Sequence, residues 1–302
     1  MISKDNVTIS DFCWLKNITT GTVRKLFYPE NVEELKNICL KIWKENKSLY
    51  LFGHTSNSYF LPSFSPDYIV STLRLSNFED MGDYVYCQTG AHIKKIARQM
   101  VEQGVEGYHG LIDLPGTVGG AVYGNAGCYG CEMSDIFLEA EILQPNGEII
   151  ICKNDQLKFA RRTSALKTKT IVGIILSVKL SKKKGNLAEI KHKSQEAHRL
   201  RIKTQPGPQN NLGSCFMSGT RTFLFKMISK VVHVYLKLKK KNLQKSLSII
   251  LQLLRHKHLI PYLYNWNRFI WKDEQAAVVF DDYVKLYKRL HKGAKLEINV
   301  YE

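Results

Sequence analysis

Eight of the chain's 20 glycines fall within 24 residues, positions 107–130, which read GYHGLIDLPGTVGGAVYGNAGCYG. They are Gly107, Gly110, Gly116, Gly119, Gly120, Gly124, Gly127 and Gly130. A residue without a Cβ tolerates positive φ and lets backbone N–H groups come close to a ligand. Successive exposed N–H groups make an anion-binding concavity suited to a pyrophosphate. Gly116-Thr117-Val118-Gly119-Gly120 does not match G-x-G-x-x-G, and no G-x-x-x-x-G-K-[ST] occurs anywhere, which argues against a Rossmann dinucleotide fold and a P-loop NTPase. The plainer alternative is a purely structural glycine corner.

A length of 302 residues allows about two domains and a core large enough to enclose a sizeable ligand. A hydrophobic fraction of 44% with 11% aromatics excludes a disordered chain. No stretch approaches the roughly 18 uninterrupted apolar residues of a membrane span. The polar start Met1-Ile2-Ser3-Lys4-Asp5 predicts no cleaved secretion signal. Seven cysteines are too few for a disulfide scaffold, and Cys128/Cys131 is the only C-x-x-C, so no metal site is expected and a reducing cytoplasm fits.

The net charge of +17 is carried unevenly: residues 1–180 hold 19 basic and 19 acidic residues, while 181–302 hold 25 and 8. A neutral body with a strongly basic second part suits a phosphorylated ligand, a nucleic acid or an anionic membrane face. A solvated lysine-rich surface is the equal alternative.

Residues 31–46 have apolar positions at helical spacing, acids early and lysines late, which predicts an amphipathic helix. Strands are predicted at 48–52, 68–73, 84–89 and 171–180, a helix at 93–103, and a loop at 53–58, an α/β alternation that argues for sheet and helix layers. Residues 182–209, with Gly185 and Pro206-Gly207-Pro208, are the most loop-like stretch, although 187–202 has the make-up of a charged helix; the boundary is placed there. Beyond it, 222–259 predicts one or two basic amphipathic helices, with Leu224, Ile228, Val231, Tyr235 and Leu238 on one stripe and Leu243, Leu247, Ile250 and Leu254 on another. Lys237, Lys239, Lys240, Lys241 and Lys245 occupy the opposite face. Packing on a domain core is the first reading of these helices, docking on an anionic membrane surface the second, and nucleic-acid binding a distant third.

The glycine segment resembles the flavin-binding segment of UDP-N-acetylenolpyruvoylglucosamine reductases, usually close to GIPGTVGGAVxxNAGAYG. Leu114-Pro115-Gly116-Thr117-Val118-Gly119-Gly120-Ala121-Val122, Asn125-Ala126-Gly127 and Tyr129-Gly130 carry the match. Gly53-His54-Thr55-Ser56-Asn57, followed by Ser58, resembles the G-x-G-S-N pyrophosphate loop. Phe159-Ala160-Arg161-Arg162-Thr163-Ser164 resembles F-x-Y-R-x-S, and Gln205-Pro206 with Gly213-Ser214-Cys215-Phe216 resembles Q-P followed by G-S-V-F. The likeness covers about 20–216 and is thin beyond.

The resemblance implies an α+β protein with a PCMH-type FAD-binding fold of two α/β subdomains, 1–75 and 76–181, and a divergent, helix-rich, basic substrate domain at 182–302. It implies FAD as cofactor, NADPH as reductant and an enolpyruvyl UDP-sugar as substrate, reduced to UDP-N-acetylmuramate for peptidoglycan. Gly53, His54, Thr55, Ser56, Asn57, Ser58, Pro115, Gly116, Thr117, Val118, Gly119, Gly120, Asn125, Ala126 and Gly127 would hold FAD. Ser214 would be the proton donor. Arg162 would face the substrate carboxylate and the developing enolate, the fixed positive charge that such a transition state needs.

Departures from the pattern bear on function. Arg161 replaces the usual Tyr, and Met217-Ser218-Gly219 replaces Lys-Asn-Pro, whose lysine would hold substrate phosphate. Leu296-Glu297-Ile298-Asn299-Val300 resembles L-E-x-E-V, in which the second Glu assists proton transfer; Asn299 cannot, and a slipped register would bring in Glu297 or Glu302. His54 lies beside the expected pyrophosphate, where related flavoproteins sometimes attach flavin covalently; packing or a hydrogen bond is its default role. Cys128, in place of the usual Ala, and Cys131 read by default as buried small hydrophobes, with reactive thiols beside the flavin as the alternative. The alternatives to a UDP-sugar reductase are a paralogue acting on another sugar nucleotide or metabolite, and a non-catalytic flavin-binding protein with a basic docking domain.

Overall fold

The structure is a computed structural model and describes residues 2–15, 21–207, 210–217, 219–238 and 245–302. Helix Val32–Lys44 starts where Asn31 caps it, the Asn31 side chain accepting from Glu34 N at 2.9 Å, a bond worth about 1 kcal/mol. Glu33 and Glu34 sit in its first turn and Lys41 and Lys44 in its last, matching the macrodipole. Its buried face of Leu35, Ile38, Cys39 and Ile42 packs with Phe27, Val70 and Leu75. The helix is the crossover that parallel pairing requires: strands Thr22–Tyr28 and Leu49–Phe52 both run parallel to Tyr68–Ser71, which lies between them. Strand Ile2–Thr8 adds antiparallel to the outer edge, completing four strands. Ile2–Thr8 and Thr22–Tyr28 were not legible, because their charged positions mask the alternation.

A second sheet of five antiparallel strands runs in the order Ile149–Lys153, Phe137–Leu143, Ile174–Ser181, Tyr84–Gln88, Phe78–Asp80. Helix Ile93–Glu102 buries Ile93, Ile96, Ala97, Met100 and Val101 in its core. Leu143, Ile174 and Leu176 of this sheet join the core under helix Val32–Lys44.

The chain divides into two compact units: Met1–Thr8, Thr22–Thr55 and Ser65–Thr204 form the first, and Ile9–Gly21, Ser56–Phe64 and Gln205–Glu302 the second. Residues 187–202 are helical, within Leu187–Thr204, and this helix belongs to the first unit although the sequence boundary leaves it outside. Its Ile190 enters the core of the second sheet, and His198 reaches Asp113 at 2.6 Å.

The second unit is built around aromatic rings. Phe269, Trp271, Phe280 and Tyr283 make close contacts in a cluster that Tyr59 joins, and Phe216 stacks on Tyr287 at 3.9 Å. Helix Ala276–Leu290 supplies Phe280, Tyr283 and Tyr287 from its buried face. Strand Ser58–Phe60 pairs in parallel with Asn299–Tyr301, so a piece of the N-terminal half is held by the C-terminal strand.

The basic stretch 222–259 forms helices Phe223–Leu238 and Ser246–Leu253, with residues 239–244 outside the described part. Here the expected packing is corrected. Phe225, Val232 and Leu236 enter the core, whereas Leu224, Val231, Tyr235 and Leu238, the stripe expected to be inside, are exposed. The helix is apolar on two faces, and the core takes the narrower one because Phe225 fits edge-on against Trp266 and His291.

Candidate functional site

The glycine segment folds as a cap over the end of strand Tyr84–Gln88. Thr117 caps helix Val118–Tyr123, its hydroxyl accepting from Gly120 N at 3.3 Å. Val118 N donates to Ala91 O and Gly119 N to Thr89 O, both at 2.8 Å, and Ala121 N donates to Thr117 O. The amides of 118–121 are therefore committed inside the protein, which corrects the expectation that this run presents N–H groups to an anion. The glycines here serve close packing instead. A Cβ on Gly53 would run into the Thr117 side chain, one on Gly119 into Thr89, one on Gly110 into the Cys128 carbonyl, and one on Gly127 into the Cys131 carbonyl. We expect Gly110→Ala to destabilise the first unit by about 1–3 kcal/mol, since a backbone carbonyl cannot swing aside as a side chain can. Urea denaturation of the variant measures it, and wild-type stability would show that the hairpin opens freely.

Two glycines behave differently. A Cβ on Gly120 would meet only Thr117 Oγ1 at 3.3 Å, and one on Gly124, a turn later, only the Gly120 carbonyl at 3.7 Å. With Gly120 exposed, this face of the helix is a strip without side chains, a surface on which a flat aromatic ring system fits.

Asn125, Ala126, Gly127 and Arg162 are brought together. The Arg162 guanidinium donates to Gly127 O at 2.6 Å and to Asn125 O at 3.4 Å, with Glu132 Oε1 at 3.9 Å. Buried Asn125 donates to Glu132 at 3.0 Å and to Ala160 O at 3.1 Å and accepts from Ser134 N at 3.0 Å. Ser164 donates to Tyr123 O at 2.7 Å, and Lys167 Nζ to Arg162 O at 3.1 Å. Arg162 itself sits at φ 58 and Asn125 at φ 41. The F-x-Y-R-x-S-like loop and the N-A-G run are thus one hydrogen-bonded body with a cation at its centre. Arg161 is exposed.

The loop 53–58 is shared: Gly53, His54 and Thr55 belong to the first unit, Ser56, Asn57 and Ser58 to the second. Thr55, at the second glycine of the G-x-G-S-N pattern, is buried at φ 53, a left-handed conformation that a β-branched residue rarely adopts. The His54 ring meets His92 edge-on at 4.4 Å. Burial pushes the His54 imidazole down to about 4, and His92 pushes it the same way. The unfolded chain takes up this proton near 6.5 and the folded chain only near 4, so stability falls as pH drops through that window and is indifferent to His54 above it. We expect His54→Gln to flatten the loss of stability between pH 7 and pH 5, read by denaturant unfolding at the two values; an unchanged difference would refute it.

Cys128 and Cys131 pair across a two-residue turn. Cys128 Sγ donates to Gly110 O at 2.9 Å, and Gly110 N donates to Cys131 Sγ at 3.2 Å. Burial pushes both thiols up to about 11, so they are protonated packing groups. Among the described residues no group of three or more His, Cys, Asp or Glu could hold a metal ion.

In the second unit, Gly213-Ser214-Cys215-Phe216 is fixed by residues far along the chain. Asn267 brackets Phe216, accepting from its N–H at 2.7 Å and donating to its carbonyl at 2.8 Å, and the Asn267 carbonyl accepts from Cys215 N at 3.1 Å. Phe216 and Met217 pair antiparallel with Leu296 and Lys295, and Glu297 N donates to Cys215 O at 2.8 Å. Asn57 donates from its side chain to Glu297 O at 3.1 Å and accepts from Asn299 N at 2.9 Å. Arg268 donates to Gln205 Oε1 at 2.9 Å. Ser214, Glu297, Asn299, Asn57 and Gln205, scattered over the sequence, thus belong to one body. Asn267 and Arg268 escaped the sequence reading, since Asn265-Trp266-Asn267-Arg268 is a hairpin turn with no chemical signature of its own.

Comparison with known proteins places these features. The family described as FAD binding domain matches residues 23–153. A crystal structure of UDP-N-acetylenolpyruvylglucosamine reductase from Thermus caldophilus superposes over 100% of both chains with a TM-score of 0.71 at 21% identity, which shows the fold. UDP-N-acetylenolpyruvoylglucosamine reductase of Clostridium botulinum (strain Alaska E43 / Type E3) is 30% identical over 69% of this chain and 68% of its own length. That of Caldanaerobacter subterraneus subsp. tengcongensis is 31% identical over 65% of this chain and 64% of its own, just under two thirds. The matched domain and the fold together define an FAD-binding protein with the PCMH-type fold. Within that class, the chain belongs to the UDP-N-acetylenolpyruvoylglucosamine reductase family.

Proposed function

We propose that the protein uses NADPH to reduce the enolpyruvyl ether of UDP-N-acetylglucosamine to UDP-N-acetylmuramate, a peptidoglycan precursor, in the cytoplasm. The observation that carries this reading is the assembly of Ser214 with the C-terminal segment 295–299 in one body, the two stretches in which the family places its proton donor and the acid that assists it. FAD, when held there, would supply hydride for one carbon of the enolpyruvyl double bond. Ser214 Oγ–H delivers the proton to the adjacent carbon, and Glu297 is the acid in the same segment able to return one to it, since the Asn299 amide cannot. Arg162 offsets charge on the substrate carboxylate and enolate.

In the first unit, Gly53, His54, Thr55, Pro115, Gly116, Thr117, Val118, Gly119, Gly120, Asn125, Ala126 and Gly127 are proposed to hold FAD, with the bare strip at Gly120 and Gly124 against the ring system. Ser56, Asn57 and Ser58, proposed with them, lie in the second unit, where Asn57 also anchors Glu297 and Asn299.

Met217 stands where the family pattern has a phosphate-holding lysine. Its direct cross-strand partner is Lys295, and opposed side chains on one face of an antiparallel pair lie about 5 Å apart. Lys295 is the proposed substitute. We expect Lys295→Met to raise KM for the UDP-sugar about tenfold with kcat little changed, the pattern of an interaction made equally in ground and transition states; a loss confined to kcat would remove Lys295 from phosphate binding.

A second reading, reduction of another sugar nucleotide, is favoured by Asn299, held in register with Ser58 where an acid is expected. The test is the absorbance spectrum of the purified protein under anaerobic NADPH, with and without UDP-N-acetylglucosamine enolpyruvate. Flavin bands bleached by NADPH and restored by that compound establish the first reading. Bleaching without restoration selects the second. A protein that refuses FAD sinks both.

A further inference from the structure

Helix Phe223–Leu238 has three faces. Placed at about 100° per residue, Phe225, Val232 and Leu236 form the narrow buried arc. Phe223, Leu224, Met227, Val231, Val234, Tyr235 and Leu238 form a second, wider arc, all exposed, with Phe223 at 79%, Val231 at 62% and Leu238 at 78%. Lys226, Lys230, His233 and Lys237 form the third, also exposed, alongside the apolar arc. The helix carries no acid. In the chain as a whole, residues 197–272 hold fifteen Lys and Arg and no Asp or Glu. Seven large apolar side chains gathered on one exposed helix face are a contiguous patch rather than the scattered single residues of an ordinary surface.

We propose that this helix lies in the surface of an anionic lipid bilayer, its exposed arc among the acyl chains and its lysines against the lipid phosphates. The division of an exposed helix into an apolar side and a lysine-lined side is the arrangement that binds such an interface, through apolar burial plus attraction to anionic headgroups. Charge decides between occupants. A second copy packed antiparallel on this face would bring Lys226, Lys230 and Lys237 beside the same lysines, whereas a negatively charged surface complements them. The helix binds flat: among the described residues no helix is long and apolar enough to cross a membrane. The consequence is a reductase held at a membrane face.

The test is flotation of the full-length protein with vesicles of phosphatidylcholine alone, or with about one lipid in three replaced by phosphatidylglycerol. Three variants accompany the wild type: Val231→Asp on the apolar arc; Lys226→Glu, Lys230→Glu and Lys237→Glu combined; and Lys36→Glu, on a helix of the first unit, as a control. Circular dichroism and bound flavin establish that each is folded. The expected result is salt-sensitive flotation with the anionic vesicles only, lowered on the order of a hundredfold by the triple variant, abolished by Val231→Asp and unaltered by the control. Absence of flotation, or equal flotation with neutral vesicles, overturns the proposal. So does a lipid-free dimer in sedimentation that Val231→Asp dissociates, since the face is then covered by a second copy.

Discussion

Replacing Ser214 with alanine is expected to leave FAD bound and bleached by NADPH while turnover of the enolpyruvyl UDP-sugar falls about 10²–10⁴-fold, the usual contribution of a positioned general acid. The reasoning is local. Ser214 is half-buried and sits next to Cys215, whose N–H and carbonyl are both tied, to the Asn267 carbonyl and to Glu297 N. Removing one hydroxyl leaves that scaffold standing. The loss belongs to proton delivery alone, so the rate of flavin bleaching by NADPH serves as an internal control and should match the wild type. If Ser214→Ala turned over normally, the proton would come from elsewhere. Glu297→Gln then distinguishes an acid acting through Ser214 from one acting directly: in the first case the double variant is no slower than Ser214→Ala, and in the second it is.

The second large effect concerns Arg162, where a contact and a backbone conformation can be separated. Arg162→Ala removes the donors to Gly127 O and Asn125 O, and a carbonyl that loses its partner on partial burial costs about 1–3 kcal/mol. The same change leaves a Cβ at φ 58, where an L-residue is strained by roughly 1–2 kcal/mol. Arg162→Gly deletes the same contacts and the strain with them. We expect Arg162→Gly to be more stable than Arg162→Ala by about 1 kcal/mol, both less stable than wild type, and both slower in substrate reduction by about 10²–10³-fold, the scale for losing one fixed charge-stabilising group. Equal stability of the two variants would show that the loop relaxes once the guanidinium is gone. Wild-type turnover in both would leave Arg162 as a structural clamp only.

How far these residues could be found without coordinates varied with how local their signal is. Pro115 to Gly127 is a contiguous string, and the flavin-binding class follows from it. Arg162 stands out by its F-x-Y-R-x-S-like neighbours, but its grip on Gly127 and Asn125 depends on a left-handed turn that no side-chain pattern announces. The notion that the glycines expose amides to a phosphate failed over 118–121, because the same missing Cβ atoms also let Thr89, Ala91 and Thr117 come close enough to take those hydrogens. Composition alone cannot tell whether a glycine makes room for a ligand or for the protein's own backbone.

The second unit shows the other limit. The sequence by itself determined the cofactor class, the helices and central strands with clean periodicity, and the concentration of positive charge after residue 180. Tertiary structure alone decided that Ser214, Asn57, Asn267 and the segment 295–299 share one body, that helix Leu187–Thr204 belongs with the first unit, and which side of helix Phe223–Leu238 is covered. The physical reason is the same in each case. Periodicity reports that a face is apolar or that a strand can pair, since both follow from side chains a few positions apart. Which partner arrives is set by packing between segments tens to hundreds of residues apart, and a helix with two apolar faces offers the core a choice that only shape complementarity, here Phe225 against Trp266 and His291, resolves.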